Sequence, residues 1–157
     1  MSEGPGELVE YDAPLELLVW GRHVYTVLYL DDLLVDAVAR ERTRRVEGHL
    51  DDVPVNLGVN RADVVDRPFL YAGVALRRRL GAGAGHVVAC RLRPADPDHV
   101  PVPDDVRTAL EATGRLHDFE GQRPAARRRL LQPVEDAVQD ATRARRIAAL
   151  VRSVASP

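Results

Sequence analysis

The side chains that could do chemistry in this 157-residue chain are few, and their spacing limits what they can do. Gly81-Ala82-Gly83-Ala84-Gly85 has the look of a phosphate-cradling loop, but a P-loop needs Lys and Ser/Thr after its last glycine. Here His86 and the β-branched Val87-Val88 follow, and the chain contains no Lys, so the segment reads as a turn into a strand and no nucleotide cofactor is expected. The absence of Lys also removes Schiff-base chemistry. His86 and the single Cys90 are four apart; on a strand their Cα atoms stand about 13 Å from each other, too far to share a metal ion. His23, His49, His99 and His117 are scattered, and no Cys-x-x-Cys or His-Glu-x-x-His occurs, so no metal site is expected. Serine occurs only at positions 2, 153 and 156, outside any nucleophile-elbow context. No catalytic residue is assigned; for an enzyme, Arg45, His49, Asp52 and His86 are the side chains to find converging in a pocket.

The arginines are the remaining chemical signal. All 22 basic residues are Arg, which coding bias explains, but their distribution is uneven. Residues 1–106 hold 12 Arg against 18 acids, whereas residues 107–157 hold 10 Arg against 6. Arg77-Arg78-Arg79, Arg127-Arg128-Arg129, and Arg143 with Arg145 and Arg146 are the clusters. They could grip phosphates of a nucleic acid or an acidic partner. Equally, they could pair within the molecule, since three successive helical residues spread around the helix and no aromatics interleave with them.

These side chains must be positioned by two different kinds of structure. Between Leu15 and Leu92 short strands alternate with turns. Leu15–Trp20 and His23–Leu30 flank Gly21-Arg22 as a hairpin, and the second run is β-favouring on both faces, as in a central strand. Asp31-Asp32 is expected to cap a short helix through Ala39. Val46–Leu50 and Val53–Leu57 form a strand pair around Asp51-Asp52, and Phe69–Gly73 and Val87–Leu92 are the last strands. After Pro94 the pattern is helical. Pro103-Asp104-Asp105 opens a helix that Gly114 ends, Ala125–Leu131 is helical up to Pro133, and Ile147, Leu150, Val151 and Val154 mark one stripe of a final helix.

The fold class expected is therefore α+β: a small N-terminal antiparallel β-barrel followed by a C-terminal helical segment packed on it. The domain bounds read as a flexible N-terminus over 1–13, a barrel over 14–94, a connector over 95–102 and helices over 103–157. Apolar residues at 45% and charged residues at 29% exclude a disordered tail or a disulfide scaffold. No apolar run is long enough to span a membrane, and the polar, acidic start resembles no secretory signal, so a cytoplasmic protein is expected.

Arg45-Val46-Glu47-Gly48-His49-Leu50 followed by Pro54-Val55-Asn56 resembles the strand pair of a small bacterial barrel domain of unknown function, whose usual form is Arg-Val-x-Gly-Thr-hydrophobic-Asn-Gly-x-Pro. Leu76-Arg77-Arg78-Arg79-Leu80-Gly81 through Gly85-His86-Val87-Val88 resembles that domain's Arg-Lys-x-Leu-Gly…Gly-Asp-x-Val stretch. Val102-Pro103-Asp104-Asp105-Val106 with Ala109-Leu110, then Phe119, then Thr142-Arg143-Ala144-Arg145-Arg146-Ile147, is similar to the C-terminal helical segment of the YdeI/OmpD-associated, or bacteriocin-protection, family. The chain departs from these patterns at Asp51-Asp52, where the barrel domain has Asn-Gly, at Gly85-His86, where it has Gly-Asp, and at Pro133-Val134…Ala137-Val138, where the family has Trp-Ile…Ala-Lys. The resemblance implies a role in resistance to toxins and no reaction, so the expectation is a binding or stress-protection module for an unknown protein or small ligand. Arg45, His49, Arg77, His86, Arg143 and Arg146 are the candidate binding residues. Nucleic-acid binding by the C-terminal arginines and a small-molecule enzyme in the barrel pocket are the alternatives.

Overall fold

The computed structural model describes residues 6–155, and the chain divides into two compact units, residues 1–97 and 98–157. Among the described residues the first unit contains seven strands and two helices. They are β1 (Val9–Pro14), β2 (Glu16–Trp20), β3 (His23–Tyr29), α1 (Asp32–Arg40), β4 (Arg45–Leu50), β5 (Val53–Gly58), β6 (Phe69–Tyr71), α2 (Val74–Leu80) and β7 (Val87–Pro94). The strands form two antiparallel sheets, of order β1-β7-β4-β5 and β2-β3-β6. The α+β organisation with antiparallel sheets is as expected, but no closed barrel is found among the described residues. The two sheets are joined by the chain itself at Leu15 and by one isolated bridge, Asn60 to Phe69, so no continuous ladder runs round the unit.

Both sheets contribute to one core. Val46, Leu50, Val88, Cys90 and Leu92 of the larger sheet meet Leu28 and Leu70 of the smaller, with Leu34 and Val38 of α1 and Leu76 of α2. Period-two alternation puts these residues on one face of each strand and polar ones on the other. A second cluster, Leu18, Val27, Ala62 and Phe69, lies under the opposite face of the small sheet. This explains why β3 is apolar on both faces: it is the central strand of three and buries Thr26, Val27 and Leu28 in succession. Asp31 caps α1 as expected, its carboxylate accepting from the Leu33 N–H at 3.0 Å.

Two boundaries differ from the sequence expectation. The N-terminus expected to be flexible over 1–13 contains β1, which pairs with β7 from Val9↔Leu92 to Pro14↔Val87. Val9, Tyr11 and Ala13 face the core while Glu10 and Asp12 face out, an alternation masked by the acids around it; residues 1–5 lie outside the described residues. Likewise Val74–Leu80 forms α2, stopped by Gly81 in the left-handed conformation at φ 64°. The glycine-rich stretch after it is a turn into β7, as its composition indicates.

The described residues of the second unit form four helices: α3 (Asp104–Ala112), α4 (Leu116–Glu120), α5 (Pro124–Glu135) and α6 (Asp140–Ala155). They enclose Val106, Leu110, Phe119, Leu131, Val134, Leu150, Val151 and Val154. Phe119 is the largest fully buried side chain of the described residues. Pro133 sits inside α5, two residues before its end, where the helix has little further to run.

Candidate functional site

Arg45, His49 and His86 of the first unit fall on or beside the outward face of the larger sheet, and Arg77 lies on α2. Arg45, Glu47, His49 and then Asp51 follow one another at period two along β4 and its turn. Arg45 is held within the strand pair, its Nε donating to Asn56 Oδ1 at 2.9 Å and its Nη2 to the Asn56 carbonyl at 3.1 Å. Glu47 pairs with Arg93 at 3.4 Å. His49 is exposed between Pro54 of β5 and Arg91 of β7. His86 Nε2 lies 3.7 Å from Asp51 Oδ2, and Asp51 Oδ1 accepts from the Ala89 N–H at 2.9 Å. The Asp51 N–H also donates to the Ala89 carbonyl at 2.8 Å, so this aspartate, at φ 50°, is clamped to β7 from both backbone and side chain. Thus His86 is brought to Asp51, while Arg45 is committed to Asn56. Arg77, on α2, turns back to donate from Nε to the Ala72 carbonyl at 3.1 Å.

Gly48 lies between these residues at φ 142°, and a Cβ placed there would come within 2.0 Å of the Arg91 carbonyl oxygen. The glycine of the Arg-Val-x-Gly motif therefore lets β7 approach β4. Arg45 and Gly48 of that motif both serve the sheet.

The half-buried Tyr11 and the buried Cys90 face each other across β1 and β7. Burial pushes the Cys90 thiol up to about 11 and raises the Tyr11 phenol as well. Both therefore stay protonated at neutral pH, and Cys90 acts as a small apolar core residue.

In the second unit Arg107, Arg127, Arg128, Arg143 and Arg146 meet the unit's own carbonyls and acids. Arg143 forks onto Asp105, Nε to Oδ2 at 2.7 Å and Nη2 to Oδ1 at 3.0 Å, and its Nη1 donates to the Val134 carbonyl at 3.2 Å. Arg146 Nη1 donates to the Pro133 carbonyl at 2.8 Å. These two carbonyls belong to the last turn of α5, where helical carbonyls lack intrahelical partners and the dipole favours positive charge. Spaced three apart on α6, Arg143 and Arg146 reach it from one face. The Arg143 hydrogen bonds hold the Asp105 carboxyl below the usual carboxylate range. Arg127 donates to the carbonyls of Gln122 and Asp98, and Arg128 to that of His99. Four of these arginines thus serve helix-end and loop carbonyls.

One surface went unremarked in the sequence. The hairpin β2–β3 exposes Leu17 by 61%, Val19 by 64% and Val24 by 61% on one face. On its other face Trp20, Tyr25 and Tyr71 form a run of tilted and edge-on ring contacts, with centroids 6.2 and 5.8 Å apart. His23 joins them, 6.0 Å from Tyr25. A strand apolar on both faces reads as buried, which hid this surface. Two shallow grooves also mark the unit: one of about 560 Å³ lined by Glu16, Tyr29, Asp63, Asp66 and Arg67, and one of about 540 Å³ lined by Leu8, Val9, Leu33, Ala37, Arg40 and Pro94. Arg67 covers the first, its guanidinium 4.4 Å above the Tyr29 ring.

Fold and surface together define a two-unit α+β protein with an exposed apolar hairpin on its first unit. Residues 99–156 match the family model described as Bacteriocin-protection, YdeI or OmpD-Associated. The match covers the second unit nearly end to end, which bears out the resemblance of the C-terminal helices to that family. It does not extend to the first unit, and no curated protein or solved structure shows significant similarity to the chain. No helix among the described residues is long and apolar enough to cross a membrane.

Proposed function

We propose that the chain is a binding module of the bacteriocin-protection kind, acting by non-covalent contact through its β2–β3 hairpin and catalysing no reaction of its own. The observation that carries this reading is the exposure of Leu17, Val19 and Val24 beside the Trp20–Tyr25–Tyr71 rings. Apolar and aromatic side chains clustered on a surface mark contact sites, because covering them removes apolar area from water. The family match of the second unit supports a protective role. We describe the first unit as an incompletely closed barrel, with its opening at the junctions of the two sheets. We place its action in the cytoplasm, where a single free cysteine such as Cys90 stays reduced.

The alternatives have less support. Nucleic-acid binding would need the C-terminal guanidinium groups, and Arg127, Arg128, Arg143 and Arg146 are engaged with the unit's own carbonyls and Asp105. Of the candidates for an enzyme, Arg45 and His49 lie at period two along β4, and none of Arg45, His49, Asp52 and His86 lines either groove. The test compares cells expressing the wild-type chain with cells expressing Leu17→Ser/Val19→Ser/Val24→Ser, after circular dichroism shows the variant folded. Wild type should raise survival under bacteriocin challenge and the variant should not. Equal protection by the folded variant would show that the hairpin is not the working surface.

A further inference from the structure

We propose that the turn end of the β2–β3 hairpin enters the headgroup layer of an anionic lipid bilayer, with α2 lying against the lipid phosphates. The inference rests on reading the hairpin as a contact surface and names what covers it. Topology decides how much of the hairpin stays bare. α2 starts beside β3, where the Ala72 N–H donates to the Thr26 carbonyl at 2.9 Å. The turn after it ends beside β2, where the Gly85 N–H donates to the Leu15 carbonyl at 2.7 Å. The helix therefore crosses the small sheet on the face that carries Leu15 and Leu28, and its Leu76 joins them in the core. Leu17, Val19 and Val24 share that face but are left exposed, so the helix stops short of the turn. The opposite face at the same end carries Trp20, His23 and Tyr25, with Tyr71 of β6 beside them. One end of the hairpin is thus apolar or aromatic on both faces. A protein strand or helix laid on one face would leave the other in water, whereas a bilayer interface surrounds the whole end.

Charge singles out lipid phosphates. Residues 1–106 are acidic as a whole, with 12 Arg against 18 acids. Yet no Asp or Glu occurs from Leu17 to Leu30 or from Arg67 to Ala95, the stretches that supply the hairpin, β6 and α2. Arg22 sits exposed at the hairpin turn, and Arg78 and Arg79 are exposed on α2. Val74, also exposed, stands four residues before Arg78 and shares its flank of the helix, so the open side of α2 is itself apolar and basic. The acids nearest the small sheet, Glu16, Asp63 and Asp66, line the groove over Tyr29, toward the end away from the turn. Trp and Tyr are the side chains that settle where hydrocarbon meets water, and Arg reaches phosphate from there. Penetration is shallow for a definite reason. Past Leu15, β2 pairs with β3 alone among the described residues, so its other edge keeps backbone groups that need water. The span from Leu17 to Trp20, about 10 Å along a strand, matches the depth that an interfacial element reaches.

Vesicle binding by the full chain tests this, with Trp20 as the probe because it is the only Trp. On vesicles of equal parts phosphatidylcholine and phosphatidylglycerol, Trp20 emission should shift to shorter wavelength and lipids brominated near the top of the acyl chain should quench it. The chain should also sediment with these vesicles. On phosphatidylcholine alone binding should be at least about tenfold weaker. Leu17→Ser/Val19→Ser/Val24→Ser, shown folded by circular dichroism, should lose binding although Trp20 is kept. Arg22→Gln/Arg78→Gln/Arg79→Gln should weaken it roughly tenfold or more, and Arg22→Lys/Arg78→Lys/Arg79→Lys should retain it, since the phosphates answer to charge. No binding to the mixed vesicles, or equal binding to both lipids, overturns the proposal. So does undiminished binding by the serine variant. If no vesicle is bound yet the serine variant loses protection in cells, the contact surface stands and the lipid is wrong, a protein being what covers it. If the vesicle results hold and the serine variant protects fully, the lipid contact stands and the protective role of the hairpin falls.

Discussion

At the scale of single residues, the positions that look most chemical in this chain mainly hold it together. Arg143 and Asp105 form a forked pair, and Arg143 and Arg146 satisfy carbonyls of the last α5 turn. Arg143→Ala should therefore lower stability by about 1–2 kcal/mol, read from urea unfolding at pH 7, while Arg143→Lys recovers only part because an ammonium cannot fork. The pH dependence has a definite sign. Asp105 has its folded pKa lowered by the Arg143 hydrogen bonds, so its contribution is full above the unfolded value near ~3.9 and is lost as pH falls through the folded one. The difference between wild type and Asp105→Asn should thus persist from neutral pH down to about 4 and shrink below it. Gly48→Ala should cost about 3 kcal/mol, because its Cβ would meet the Arg91 carbonyl and its backbone sits at positive φ. Cys90, buried with its thiol raised to about 11, should resist a thiol reagent at pH 8 until the chain is unfolded. Fast labelling of the native chain would contradict the packing described.

At the scale of elements, what was legible in the sequence was local chemistry and periodicity. The Asp31 cap, the two-residue turn at Gly21-Arg22, the β4–β5 pair and the stripe of α6 all follow from spacing within one segment. β1 was missed because Glu10 and Asp12 made a half-buried strand look like an acidic tail. The short helix α2 was missed because its three arginines left little apolar pattern. The roles of Arg45 and Gly48 depend on β5 and β7, which lie apart in sequence, so no local rule announces them. The apolar character of β2 was visible, but whether such a strand is buried or free at an edge is decided by its neighbours.

At the scale of the whole molecule, two units each enclose their own core, and the only Trp lies in the first. Phe119→Ala should destabilise the helical unit by about 3–5 kcal/mol. Far-UV circular dichroism should then lose helix at lower temperature while the Trp20 fluorescence transition stays where it was; a joint shift of both signals would show the units unfolding as one. Arg127, Arg128, Arg143 and Arg146 take part in the second unit's own bonding, and the proposed contact surface lies on the acidic first unit. The most direct test of that reading is survival under bacteriocin challenge of cells expressing the wild-type chain or the folded Leu17→Ser/Val19→Ser/Val24→Ser variant. Wild type should protect and the variant should not. Equal protection by the two would contradict the account.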